Sequence, residues 1–111
     1  MNIDVNILLK DAYNQIKELY GNNLEKIILF GSYARGDFRE YSDIDIMVLV
    51  NCDNERIKEF DDGVSQIGEN ICNDYNAVIQ TMVFNIDYFN EWKNHMPLFV
   101  NVIKDGVLMN G

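Results

Sequence analysis

The stretch "GSYARGDFREYSDIDIMVLV", Gly31 to Val50, decides the reading of this chain. It opens on a Gly-Ser pair, carries an early arginine, Arg35, and brings two aspartates, Asp43 and Asp45, into an apolar run. Immediately before it, "KIILF" (Lys26 to Phe30) is short, β-branched and unbroken, the pattern of a strand buried on both faces. Ile44 to Val50 reads as a second strand paired with the first, and Tyr33 to Tyr41 as the polar turn between them.

Asp43 and Asp45, two apart on a strand, project to one face with Cα atoms about 7 Å apart. Two carboxylates converging on one space repel, and their joint ionisation is favoured by a divalent cation between them. Hard oxygen donors of this kind suit Mg²⁺ or Mn²⁺. The missing side chain of Gly31 lets a phosphate approach the backbone, where the Ser32 hydroxyl and nearby amides can donate to it. Arg35 adds a permanently charged planar fork for a phosphate. Alone, each piece has an ordinary reading: a turn, a solvated strand entry, a surface arginine. Occurring in this order between two apolar strands, they match phosphoryl or nucleotidyl transfer, in which positioning and electrostatics supply most of the rate.

The remaining sequence frames this segment. Leu8, Leu9, Ala12, Tyr13, Ile16, Leu19 and Tyr20 recur at helical steps over Val5 to Tyr20, and Gly21 stops that helix. Asp53 to Cys72 reads as a second helix, with Asp53 or Asn54 as cap and Gly63 and Gly68 weakening it. "AVIQTMVFN", Ala77 to Asn85, reads as a third strand, after which Asn85 caps a helix beginning near Ile86. A break falls at His95 and Met96 before Pro97, followed by a short helix ending near Gly106. Phe89, Trp92 and Phe99 read as core, and His95, the only histidine, as structural or exposed. The order predicts an α/β (α+β) chain with a small mixed β-sheet flanked by helices, in a single domain over residues 1–111.

Nine basic against 18 acidic residues give a formal charge of −9, so attraction to a nucleic-acid backbone is opposed and direct binding of a polynucleotide is not expected. A small anion carrying its own divalent cations fits better. Cys52 and Cys72 lack a metal-binding spacing and read as buried or half-buried thiols in a reducing compartment. With no run of about 18 apolar residues and no secretory pattern at the N-terminus, a cytoplasmic location away from membranes is expected.

The segment "GSYARGDFREYSDID" resembles the signature of the DNA polymerase beta-like nucleotidyltransferase superfamily, in its minimal, MntA-type antitoxin branch. The resemblance is specific over Gly31 to Val50 and looser elsewhere. It implies the nucleotidyltransferase fold, two-metal chemistry with Mg²⁺ or Mn²⁺ at Asp43 and Asp45, and a nucleoside triphosphate, ATP, as donor. Position by position it implies that Gly31 and Ser32 contact the triphosphate and that Arg35 and Gly36 complete the loop shaping the pocket. Ser42 becomes a turn or cap residue, and Asp37, Arg39 and Glu40 surface charges.

One departure stands out. Active members of that superfamily take a third carboxylate from the next central strand, where it helps bind metal and can accept a proton. Here that strand holds no acid, and its polar residue is Gln80, which cannot take up a proton. Gln80 reads as a strand residue hydrogen-bonded at an edge; Asp74, just upstream, is the candidate third metal ligand. Either the acid is dispensable, or Asp74 or a partner supplies it, or the chain binds nucleotide without efficient transfer. The resemblance implies transfer of AMP to a hydroxyl on a HEPN-type toxin partner. The alternatives are a weakly catalytic antitoxin acting by occlusion and transfer to an aminoglycoside-like small molecule.

Overall fold

The computed structural model describes residues 5–37 and 43–109. Helix α1, Val5–Tyr20, buries Leu8, Ala12, Ile16 and Tyr20, one residue per turn along a single stripe. A 3₁₀ turn, Gly21–Asn23, leads into strand β1, Leu24–Phe30. It pairs antiparallel with β2, Ile44–Val50, which in turn pairs parallel with β3, Ile79–Asn85. A two-residue strand, β4, Val107–Leu108, pairs antiparallel with the free side of β1, giving the order β3-β2-β1-β4.

β2 is the hinge of the packing. Its Ile44, Ile46, Val48 and Val50 enter one core with Leu8, Ala12 and Ile16 of α1 and with Ile67 and Ile71 of α4, Asp61–Tyr75. Met47 and Leu49 enter a second core with Phe89 of α5, Ile86–Trp92, and Phe99 and Val102 of α6, Pro97–Asp105. Both faces are therefore covered, which is why β2 reads as continuously apolar beyond Asp45. Phe99 is fully buried, with its ring centroid 4.9 Å from that of Phe89 and 5.0 Å from that of Phe84. Burial of one such side chain contributes about 2–3 kcal/mol.

The expected mixed sheet with flanking helices is present, and several details differ. The segment expected as a polar turn begins with a short helix, α2, Ser32–Arg35. The long helix expected over Asp53 to Cys72 is two: α3, Asn54–Glu59, and α4, with the junction at Phe60. Phe60 ends α3 while its ring lies tilted against that of Tyr20, centroids 4.5 Å apart, and takes the Arg56 guanidinium at 4.6 Å, so tertiary contacts fix a corner that periodicity does not mark. Gly63 serves packing: a Cβ there would lie 2.5 Å from Leu19 Cδ1, so its absence lets α1 and α4 approach. Asp53 is the N-cap of α3, its carboxylate accepting from the Arg56 amide at 2.9 Å. Cys72 is exposed rather than buried, Cys52 is half-buried, and both are free thiols. Trp92 is 41% exposed at the end of α5, unlike Phe89 and Phe99. No helix among the described residues is long and apolar enough to cross a membrane.

Candidate active site

The sheet brings three chain segments together at the C-terminal end of β1 and the N-terminal ends of β2 and β3. Phe30 of β1 is paired with Asp45 of β2, and Asp45 with Gln80 of β3. Because paired residues on adjacent strands point to the same side, Asp45 and Gln80 share the sheet face that carries Met47 and Leu49. Asp43 lies one residue ahead of β2, where the Ile44 amide donates to the Val78 carbonyl at 2.9 Å and ties the starts of β2 and β3 together. There the Gln80 amide nitrogen Nε2 donates to Asp43 Oδ2 at 2.6 Å.

Gly31 closes the other side. It follows β1 directly with φ 73° and ψ −154°, a region open essentially to glycine alone, and is the N-cap of α2. A Cβ built on it would lie 2.4 Å from Asp45 Oδ2, so the Asp45 carboxylate rests against the bare Gly31 backbone. The Arg35 amide donates to the Gly31 carbonyl at 3.1 Å, which folds the loop into one helical turn. Gly36, left-handed at φ 80°, caps that turn through its amide to the Ser32 carbonyl. Ser32 is half-buried at the first helical position of α2. Arg35 is exposed and pairs through Nε with Asp37 Oδ2 at 3.1 Å.

Partial burial, then the charge of Asp43, raises the Asp45 carboxyl above its ordinary pKa, and the charge of Arg35 acts in the opposite sense. A carboxyl whose charge is disfavoured by a neighbouring carboxylate forms with it a donor set suited to a divalent cation. Beside Gly31, against which Asp45 rests, a cleft of about 430 Å³ is lined by Phe30, Gly31 and Arg35 on one side and by Leu98, Asn101 and Asp105 of α6 on the other. A larger hollow of about 590 Å³ lies at the far end of β3, around Phe84, Asn85 and Asp53, and contains none of these groups. Chemistry rather than size therefore marks the site.

The structure thus gathers Gly31, Asp43, Asp45 and the turn bearing Ser32, Arg35 and Gly36. Asp74 is exposed in the last turn of α4, and among the described residues no group of three Asp, Glu, His or Cys side chains is placed to hold a metal ion. Ser42, Arg39 and Glu40 lie outside the described residues. His95 is exposed beside Trp92. Asn101 and Asp105 were not singled out from the sequence; their spacing of four on α6, opposite the buried Phe99 and Val102, is the signal that would have found them.

Residues 9–105 match the nucleotidyltransferase domain family. The chain is 36% identical over 101 residues to a "putative protein adenylyltransferase" of Methanocaldococcus jannaschii, covering 88% of this chain and 90% of that protein. A second protein of that organism with the same description is 44% identical over 43 residues, 39% of this chain and 43% of its own length. Among solved structures, a "putative nucleotidyltransferase" from Sulfolobus solfataricus is 26% identical with a TM-score of 0.56, covering 92% of this chain and 78% of that one. A chain from the complex of the tri-AMPylated Shewanella oneidensis HEPN toxin with MNT antitoxin is 16% identical with a TM-score of 0.55 over 96% of this chain and 71% of its own, a likeness of fold. The glycine-bounded turn and paired aspartates thus stand within a recognised domain, and the chain belongs to the nucleotidyltransferase domain family.

Proposed function

We propose that this nucleotidyltransferase is a Mg²⁺- or Mn²⁺-dependent protein adenylyltransferase, transferring AMP from ATP to a hydroxyl on a HEPN-type toxin partner and acting as its antitoxin. The single observation that carries the reading is the seating of the Asp45 carboxylate against the Gly31 backbone. It puts the expected phosphate-holding turn and the metal-binding pair at one point. The protein-adenylyltransferase relative supports AMP as the transferred group. The fold-level likeness to a chain of a HEPN toxin–MNT antitoxin complex favours the partner. The net charge of −9 is suited to a basic partner surface.

In this mechanism the oxygen of the acceptor hydroxyl bonds to the α-phosphorus of ATP and gives up its proton to solvent, while the bond from that phosphorus to the bridging oxygen breaks, releasing pyrophosphate. Gly31, Ser32 and the Gly36-capped turn hold the triphosphate, and Arg35 balances its charge. Asp43 and Asp45 would hold the divalent cation. When bound, that ion supplies neutralisation of phosphate charge and orientation of the reacting oxygens. The experiment is to incubate the purified chain with its co-encoded neighbour, Mg²⁺ and ATP, and to weigh the neighbour by mass spectrometry. One added adenylate or more supports the reading, provided Asp43→Asn with Asp45→Asn abolishes it.

A second reading, inhibition by occlusion without transfer, is favoured by Gln80 standing where a third acid is expected. A stable complex with no mass change on the neighbour would select it.

A further inference from the structure

β3 presents Gln80 directly beside Asp45, on the site face, with its side chain on Asp43. The bond, at 2.6 Å, runs from the Gln80 amide nitrogen to one Asp43 oxygen. It ties together two strands just where β2 begins, and leaves Asp43 half-buried while Gln80 itself is exposed. Gln80 is also remote from the packing that maintains the fold, since neither hydrophobic core includes it. Among the described residues its side chain bonds to Asp43.

We propose that Gln80 is a positioning residue: its amide clamps the Asp43 carboxylate so that a site with two acidic side chains, rather than three, binds its divalent cation. This rests on the reading of Asp43 and Asp45 as metal ligands. A neutral donor in this position costs one metal-binding oxygen, but it removes the torsional freedom of Asp43 and adds no third charge to a pair that already repels. The partner that orients a ligating carboxylate commonly contributes 10–100-fold to metal affinity, and for an exposed partner the lower end, roughly 10-fold, is expected.

Two substitutions with opposite outcomes distinguish a positioning Gln80 from a mere edge residue. Gln80→Ala frees Asp43 and is expected to weaken Mn²⁺ binding roughly 10-fold. Gln80→Glu places a third carboxylate within reach of the same ion and is expected to tighten Mn²⁺ binding beyond the wild type. The measurement is Mn²⁺ titration of the purified chain followed by electron paramagnetic resonance, which needs neither transfer activity nor acceptor. Thermal unfolding without metal should show Gln80→Ala within a few degrees of wild type, as suits a side chain outside both cores. Equal Mn²⁺ affinity for all three proteins overturns the inference while leaving the aspartate pair as ligands. A wild type that does not bind Mn²⁺ overturns the metal reading itself, and the inference with it.

Discussion

Asp45 leans on a glycine: a methyl group at position 31 would fall 2.4 Å from its Oδ2, closer than a Cβ comes to a non-bonded atom. Gly31→Ala therefore meets two obstacles, a backbone at φ 73° that disfavours side chains and a carboxylate in the way. The expected loss is about 1–3 kcal/mol in chemical denaturation. Because relief comes by pushing Asp45 aside, Mn²⁺ affinity and ATP binding should fall further than stability does.

Asp45→Asn should have the opposite effect on stability. The Asp45 carboxyl binds its proton more tightly in the folded chain than in the unfolded one, because burial and Asp43 disfavour its charge. The metal-free fold consequently loses stability as pH rises from the unfolded pKa through the raised folded one, and is flat above it. Asn removes the charge, so Asp45→Asn is expected to raise the metal-free Tm at neutral pH by a few degrees while eliminating metal binding, with the gain vanishing at low pH.

A third test concerns Tyr20, whose buried hydroxyl has no hydrogen-bond partner among the described residues. Tyr20→Phe keeps the ring against Phe60 and removes the unpaired group, and is expected to stabilise the chain by about 1 kcal/mol or more. In the native chain, burial first and then the charges of Cys52 and Asp61 push the Tyr20 hydroxyl up to about 12. Unfolded Tyr20 ionises near the ordinary tyrosine value of 10.0 while the folded form keeps its proton, so stability falls between these pH values, on the order of 2 kcal/mol. Urea unfolding at rising pH should show this loss in the wild type and a smaller one in Tyr20→Phe.

Asn85 joins two elements far from the site. Its side chain accepts from the Asp87 and Tyr88 amides at 2.8 and 3.1 Å and donates to the Cys52 carbonyl at 2.8 Å. Asn85→Ala should cost about 1–2 kcal/mol in unfolding while leaving metal affinity unchanged.

Arg35 offers a contrast. Its pair with Asp37 is exposed, so Arg35→Ala is expected to change stability by less than about 1 kcal/mol. Triphosphate affinity, measured by ATP titration, should drop roughly 10-fold or more, and Arg35→Lys should restore it only in part because a point charge cannot reproduce the planar fork.

What the sequence made legible follows from local physics. α1 was readable because its buried stripe repeats every four residues, and the Asn85 cap because its chemistry is local. The Gly31 turn and the aspartate pair were readable because φ > 0 and period-two alternation leave marks in residue type. β4 left none: it is two exposed residues held by pairing to Ile28 and Leu29. The division at Phe60 was hidden because its cause is contact with Tyr20, 40 residues earlier in the chain by number. The bond from Gln80 to Asp43 depends on strand register, which alternation alone does not specify.

Seven consecutive parallel pairs, Ile44 with Ile79 through Val50 with Asn85, fix which β3 residue faces the site. The pairing is anchored by core residues on β2, whereas position 80 is exposed. Fold and chemistry are thereby uncoupled there: a single codon change at position 80 alters the number of acids beside Asp43 and Asp45 without asking anything of either core, so the proposed metal site is open to selection independently of stability.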